Sequence, residues 1–308
     1  MTTTAPPSTH QTIRSVLLGL LGIPPSVALE STAVAPDDAV AHPDTANVYE
    51  FTSDDYPGAA QSLVFDTDGT TALGAFVFAP GNASSPTTAF TVSGGFYQIL
   101  NVPNSTASAA TGINTSGLIV GLYADVAGLT HGFATSDGNT FNNVDFPGVT
   151  ATQAIDVNDA GDIAGSYFDA ANVEHGFVSS GGTFTAIDFP GATSTAAAGI
   201  NANSDIVGGY TDTTGSHGFL LSGGAFTPVN FPLASSTTAF GINDNGDIAG
   251  FYTDTAGKTH GFVYADNTFS TVDVAGASAT QLTRIKNWEQ VTGVYIDAVS
   301  AEHGLTSQ

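Results

Sequence analysis

The sequence predicts an all-β chain folded as a six-bladed β-propeller of four-stranded antiparallel blades, its ring closed by an N-terminal strand that completes the last blade. Three observations carry this. A tract ending in His-Gly recurs, with its imidazoles at His131, His175, His217, His260 and His303, so that successive steps are 44, 42, 43 and 43 residues. Periods of this length mark stacked or radial architectures, in which one unit cannot bury its own apolar face without neighbours. A second landmark, an aromatic-Pro-Gly corner, occurs as Asp55-Tyr56-Pro57-Gly58, Asn101-Val102-Pro103, Asp145-Phe146-Pro147-Gly148, Asp188-Phe189-Pro190-Gly191, Asn230-Phe231-Pro232 and the degenerate Asp273-Val274-Ala275-Gly276, which counts six units. Finally, the first recognisable element, 48–56, matches a fourth strand, whereas the last, ending in His303-Gly304-Leu305, matches a third. An overlap of this kind closes a ring by strand pairing and removes open sheet edges. A solenoid such as a β-helix would not need it; two fused trefoils are the remaining alternative.

In chain order, residues 1–46 stand outside the repeats as a leader or linker. A polar start with Arg14 is followed by an apolar run over 16–21, Pro24-Pro25 and a small-residue site at Ser26-Val27-Ala28. This resembles a weak secretory signal, and its apolar run is too short to span a bilayer. Residues 47–308 form the propeller. Its first unit lacks the His-Gly pair and reads Thr88-Ala89-Phe90. The fifth unit serves as the type for the others: strands over 238–243, 247–253, 259–264 and 268–274, rich in β-branched and aromatic residues and lacking any helical period. Their turns, Asp244-Asn245-Gly246, Asp254-Thr255-Ala256-Gly257 and Ala265-Asp266-Asn267, favour left-handed or Asx conformations. Four short antiparallel strands in about 43 residues make one blade.

Composition limits the partners. Four Lys and Arg residues stand against 28 acids, a net charge of −24. Such a chain has almost nothing with which to neutralise phosphates, so nucleic acid and anionic membranes are excluded. Only five of the acids are Glu, and the many Asp residues concentrate at turns, where they are first a conformational choice. The absence of Cys removes disulfides from consideration. A monomeric, extracellular or cell-surface protein whose partner is a polysaccharide or cell-surface component fits this composition.

Three constellations could carry chemistry. Asp125 and His131, Asp169 and His175, Asp212 and His217, Asp254 and His260, and Asp297 and His303 flank one hairpin turn in five units. Because catalysis needs one asymmetric constellation, a pair repeated in nearly every unit reads as a structural hydrogen bond that pins the turn. The turns after the first strands, with Asp66 and Asp68 in one unit and Asp156, Asn158 and Asp162 in another, present alternating hard oxygens suited to Ca²⁺; the competing reading is plain Asx turns. The sixth unit breaks the symmetry, since Arg284, Lys286 and Trp288 place the single Trp and half of the cations within five residues. A unique ligand site is expected there. No nucleophile elbow, phosphate loop or dinucleotide fingerprint is present.

At G-I-N-x-x-G-D-I-A-G-x-Y-x-D-x-x-G-x-x-H-G-F the chain resembles the bacterial HAF repeats, a family of extracellular repeats named for a His-Ala-Phe triplet that here reads His-Gly-Phe. The resemblance covers about 112–305 well and 47–111 loosely, and it implies an exported repeat protein without carrying an activity over. The expected function is a non-enzymatic binding or scaffold module, with a glycan or divalent cation as ligand. The alternative is a glycan-acting hydrolase or lyase with its site in the central channel.

Overall fold

The computed structural model describes residues 49–53, 55–77 and 86–307. The leader expected over 1–46, Arg14 included, lies outside them. Among the described residues every regular element is a strand, and no helix is long and apolar enough to cross a membrane. The chain opens with β1 (Phe51–Ser53) and continues with β2 (Gln61–Thr67), β3 (Thr71–Val77), β4 (Thr88–Ser93) and β5 (Phe96–Ile99), of which β2 to β5 form a four-stranded antiparallel sheet. The pattern repeats in β6 (Ser105–Ile113), β7 (Ile119–Asp125), β8 (Thr130–Thr135) and β9 (Asn142–Val144), and again in β10 (Ala151–Val157), β11 (Ile163–Phe168), β12 (Glu174–Ser180) and β13 (Thr183–Ile187). A single parallel pair, Ala151 with Thr130, joins these two sheets. Next come β14 (Ser194–Ile200), β15 (Ile206–Asp212), β16 (Gly215–Ser222) and β17 (Ala225–Val229), then β18 (Ser236–Ile242), β19 (Ile248–Thr253), β20 (Thr259–Ala265) and β21 (Thr268–Val272). The expected strands of this fifth unit fall within two residues of the observed ones. The last unit, β22 (Ala279–Ile285), β23 (Val291–Ile296) and β24 (Glu302–Ser307), takes its fourth strand from β1, with Phe51 opposite Ser307 and Ser53 opposite Leu305.

Each first strand carries a β-bulge at the same place, between Val64 and Asp66, Ala110 and Gly112, Ala154 and Asp156, Ala197 and Gly199, Ala239 and Gly241, and Leu282 and Arg284. A bulge bends the strand and re-aims the side chain that follows it. Opposite, the second strand always carries glycine. At Gly250 an added Cβ would collide with the Thr238 carbonyl oxygen and stand 2.9 Å from the Phe262 ring. Gly250→Ala is therefore expected to cost about 3 kcal/mol, as overpacking against immovable backbone does. Gly246→Ala, in the adjacent turn at φ +89° with open space around it, should cost about 1 kcal/mol from backbone strain alone. Equal urea midpoints for the two variants would contradict this account of the bulge.

The cores lie between successive sheets. Phe133, Phe177, Phe219 and Phe262, which follow the His-Gly pairs, are fully buried, and Phe262 packs with Val207 and Val229 of the fourth unit as well as Ile242 and Ile248 of its own. The corners clamp neighbours together. Phe146, Phe189 and Phe231 stack at 3.7–3.8 Å on Tyr167, Tyr210 and Tyr252 of the following unit. The first strands contact one another in succession from β2 to β22, and β22 also contacts β2.

Candidate functional site

Because the strands are antiparallel, the turns that follow the first strands gather on one face, and the β7–β8 type hairpins and the corners gather on the other. On the first face these turns surround a funnel of about 600 Å³, counting space open to solvent. Its wall repeats one contact. Asn114 Nδ2 donates to Asn158 O at 2.9 Å, Asn158 Nδ2 to Asn201 O at 3.1 Å, Asn201 Nδ2 to Asn243 O at 3.1 Å and Asn243 Nδ2 to Lys286 O at 3.2 Å. Each Asn Oδ1 meanwhile caps its own turn, as Asn158 does for the amides of Ala160 and Asp162. The Asn of the G-I-N triplet thus fastens one unit to the next.

The residue before this triplet's Ile, re-aimed by the bulge, faces the funnel floor. In the six units it is Asp66, Gly112, Asp156, Gly199, Gly241 and Arg284. Three side chains fill the centre and three glycines make room for them; a Cβ at Gly112 would stand 3.1 Å from Asp156 Oδ1. Arg284 Nε lies 3.3 Å from Asp156 Oδ1 and 3.7 Å from Asp66 Oδ2. Its other nitrogens donate to the carbonyls of Thr283, Ile155 and Thr111 at 2.7, 2.7 and 3.1 Å. Lys286 Nζ reaches Asp66 Oδ1 at 2.7 Å. Asp66 also accepts from the Thr67 and Ile113 amides, and Asp156 from those of Val157 and Ile200. Burial raises the Asp156 carboxyl above its ordinary value, while Arg284 pulls it down. Two buried acids therefore balance two cations.

This geometry corrects two expectations. The residues singled out for Ca²⁺ do not converge: Asp66 and Asp156 are saturated by amides and by Arg284 and Lys286, Asn158 is spent on its turn and on Asn201, Asp162 Oδ2 lies 3.5 Å from Asn158 Nδ2, and Asp68 Oδ1 caps the Thr70 and Thr71 amides. Among the described residues no group of three His, Cys, Asp or Glu side chains could hold a metal ion. Arg284, expected at a ligand, is 3% exposed and serves as a plug instead. Trp288, by contrast, stands at the funnel mouth and is 54% exposed. Its ring rests on the turn of the first unit, where a Cβ at Gly69 would come within 3.0 Å of the indole. Asp68, Asp159, Asp244 and Asn287 complete the rim.

The opposite face holds the imidazoles. Each stands 3.4–3.6 Å from its hairpin carboxylate: His131 to Asp125, His175 to Asp169, His217 to Asp212, His260 to Asp254 and His303 to Asp297. A closer partner had escaped the sequence reading. The corner Asp meets Nδ1 in four units, as His131 to Asp145 at 3.0 Å, His175 to Asp188 at 2.7 Å, His260 to Asp273 at 2.6 Å and His303 to Asp55 at 2.8 Å. In the fourth unit the corner residue is Asn230, and His217 Nε2 meets Thr214 Oγ1 at 2.9 Å.

The clasps at His175 and His303 respond to pH. The Asp55 hydrogen bond and charge, with Asp297 behind them, outweigh burial and raise His303 above its ordinary value of 6.5. Burial lowers His175, but Asp188 and Asp169 together overcome it and the net shift is upward. A raised imidazole pKa contributes stability that is complete below the unfolded value and is lost as pH climbs through the folded one. Asp125, Asp169 and Asp254 are lowered chiefly by backbone amides, and Asp212 by the Thr214 hydroxyl, so their contribution disappears only as pH falls well below the ordinary carboxylate range. The melting temperature is expected to rise on acidification from about pH 8 to about pH 6 and to decline below about pH 4. In the His175→Asn/His303→Asn variant the rise should flatten; an unchanged slope would assign it to relief of net charge.

No family model and no curated protein matches the chain. Solved structures do. TolB from Acinetobacter baumannii is similar with a TM-score of 0.57 and 8% identity, over 79% of this chain and 65% of that one. AofleA from Arthrobotrys oligospora is similar with a TM-score of 0.55 and 11% identity, over 84% and 86%. The β-propeller domain of the Trilobed protease from Pyrococcus furiosus aligns at 0.48 and 9% identity, over 80% and 96%. Four-stranded antiparallel sheets packed face to face around a common centre make this a β-propeller fold.

Proposed function

We propose that the chain is an exported, six-bladed β-propeller of the HAF repeat type, closed by β1 at the edge of the last blade, that binds a glycan in its funnel and performs no chemistry on it. Six corners, six bulges and the pairing of Phe51 with Ser307 support the blade count and the closure. The binding reading is carried by one observation, the half-exposed Trp288 at the mouth of a funnel whose rim carries carboxylates and carboxamides. An indole offers an apolar plate to the C–H face of a sugar ring, and the carboxylates and carboxamides beside it pair with hydroxyls, the mixture typical of small-molecule sites. The floor favours binding over hydrolysis, because both buried carboxylates are already committed to Arg284 and Lys286 and neither is free as an acid or base.

Trp288 is the single Trp of the chain, so its fluorescence reports the site directly. Titration with a panel of oligosaccharides should give a saturable change in emission for at least one of them, together with a raised melting temperature. The thermal shift should vanish in Trp288→Ala. A panel that moves neither signal sinks the reading.

A further inference from the structure

Among the described residues the cations are Lys258, Arg284 and Lys286. Lys258 sits in the hairpin between β19 and β20 on the far face, and the other two are neutralised at the funnel floor by Asp156 and Asp66. Among the described residues, therefore, the rim acids Asp68, Asp159 and Asp244 have no cation beside them. Asp159 Oδ1 accepts from the Thr115 amide, and Asp244 accepts from the Ala202 amide and Asn287 Nδ2, contacts that fix the carboxylates in place without cancelling their charge. On this negative rim stands an indole plate, held against Gly69 in a turn one residue shorter than its counterparts. A low-dielectric concavity lined by one sign of charge focuses its field on the opening, and an aromatic face adds attraction for a cation.

We infer that the funnel selects a sugar chain bearing protonated amines, with an ammonium group placed between the Trp288 face and the rim carboxylates. This rests on the glycan reading above and adds the charge of the ligand to it. Neutral sugars would satisfy the hydroxyl contacts but leave the rim field unanswered. Anionic sugars are repelled by it.

The test is a Trp288 fluorescence titration of the full chain with three probes: a β-1,4-linked glucosamine hexamer, the same hexamer fully N-acetylated, and hexalysine. The expected result is that the glucosamine hexamer binds at least about tenfold more tightly than either of the others and weakens by about tenfold when salt rises from about 50 to about 500 mM, as screening of exposed charge requires. In Asp159→Asn/Asp244→Asn, which keeps the fluorophore, its affinity should fall to that of the acetylated hexamer. Equal, salt-insensitive binding of the two hexamers would overturn the charge selection and leave the glycan reading standing. Hexalysine binding as tightly as the glucosamine hexamer would keep the amine and overturn the sugar. No response to any of the three overturns the amine selection, and the wider oligosaccharide panel then decides the glycan reading separately.

Discussion

Arg284→Met is expected to lower the stability by about 3–5 kcal/mol, which for a domain of this size is a fall of about 10 °C or more in melting temperature. The reason is what remains behind. Methionine fills much of the volume, but Asp156 and Asp66 stay buried at the funnel floor with only Lys286 to compensate them, and the carbonyls of Thr283, Thr111 and Ile155 lose their donors. Breaking one side of a buried ionic cluster costs far more than the intact cluster contributes, since an uncompensated charge stays out of water. Two further results separate this cause from simple mispacking. The deficit should shrink as the pH is lowered and the Asp156 carboxyl, which burial already raises, takes up a proton. Adding Asp156→Asn should restore about half of the loss. A deficit independent of pH, with no rescue, would mean that the guanidinium acts as a packing group alone.

The sequence and the structure agree closely on the fold because the information is redundant: six corners, five His-Gly pairs and six G-I-N-like turns each specify the same register. The site was legible where it broke that redundancy. Trp288 stood out as the single Trp in a divergent unit, and it is the exposed plate at the funnel mouth. What could not be read was the direction of side chains around a bulge. Asp66 and Asp156 look, in one dimension, like the first oxygens of an Asx turn, yet the bulge turns them to the centre, at the position held by Gly in three other units and by Arg284 in the last. Alternation of Asp, Gly and Arg at one repeat position was the available signal, for only opposite charges and absent side chains can share a central column. The His clasps were half legible for a similar reason. Asp125 is six residues from His131 across one turn, whereas Asp145 is fourteen away and reaches it only through the pairing of β8 with β9.

The second large effect concerns closure. Deleting residues 1–54 removes β1 and with it the pairing of Phe51 to Ser53 with β24 and the partly buried Tyr49 and Phe51 that pack beside Val291 and Leu305, while it leaves Tyr56 on Phe76 and Asp55 on His303. Two half-buried apolar side chains at about 1 kcal/mol each and a few hydrogen bonds at about 1 kcal/mol each amount to about 4 kcal/mol. The reference for this comparison is the chain lacking only 1–48, which keeps all of these contacts. The shorter chain should also associate at micromolar concentration, because β24 then presents an unpaired edge. A peptide spanning 47–54 supplied in trans should pair with that edge and recover much of the lost stability by mass action. The competing possibility is that the inner seam suffices by itself: Thr283 Oγ1 donates to Phe65 O at 2.8 Å, Lys286 holds Asp66, and Gly304 packs on Val64. If the chain lacking 1–54 melts like the one lacking 1–48 and does not associate, that seam carries the proposed closure, and β1 serves only to cover the edge of β24. If it melts early and the peptide rescues it, the pairing of β1 with β24 holds the proposed ring, and Arg284, Lys286 and Trp288 of the divergent last unit keep their place at the funnel through it.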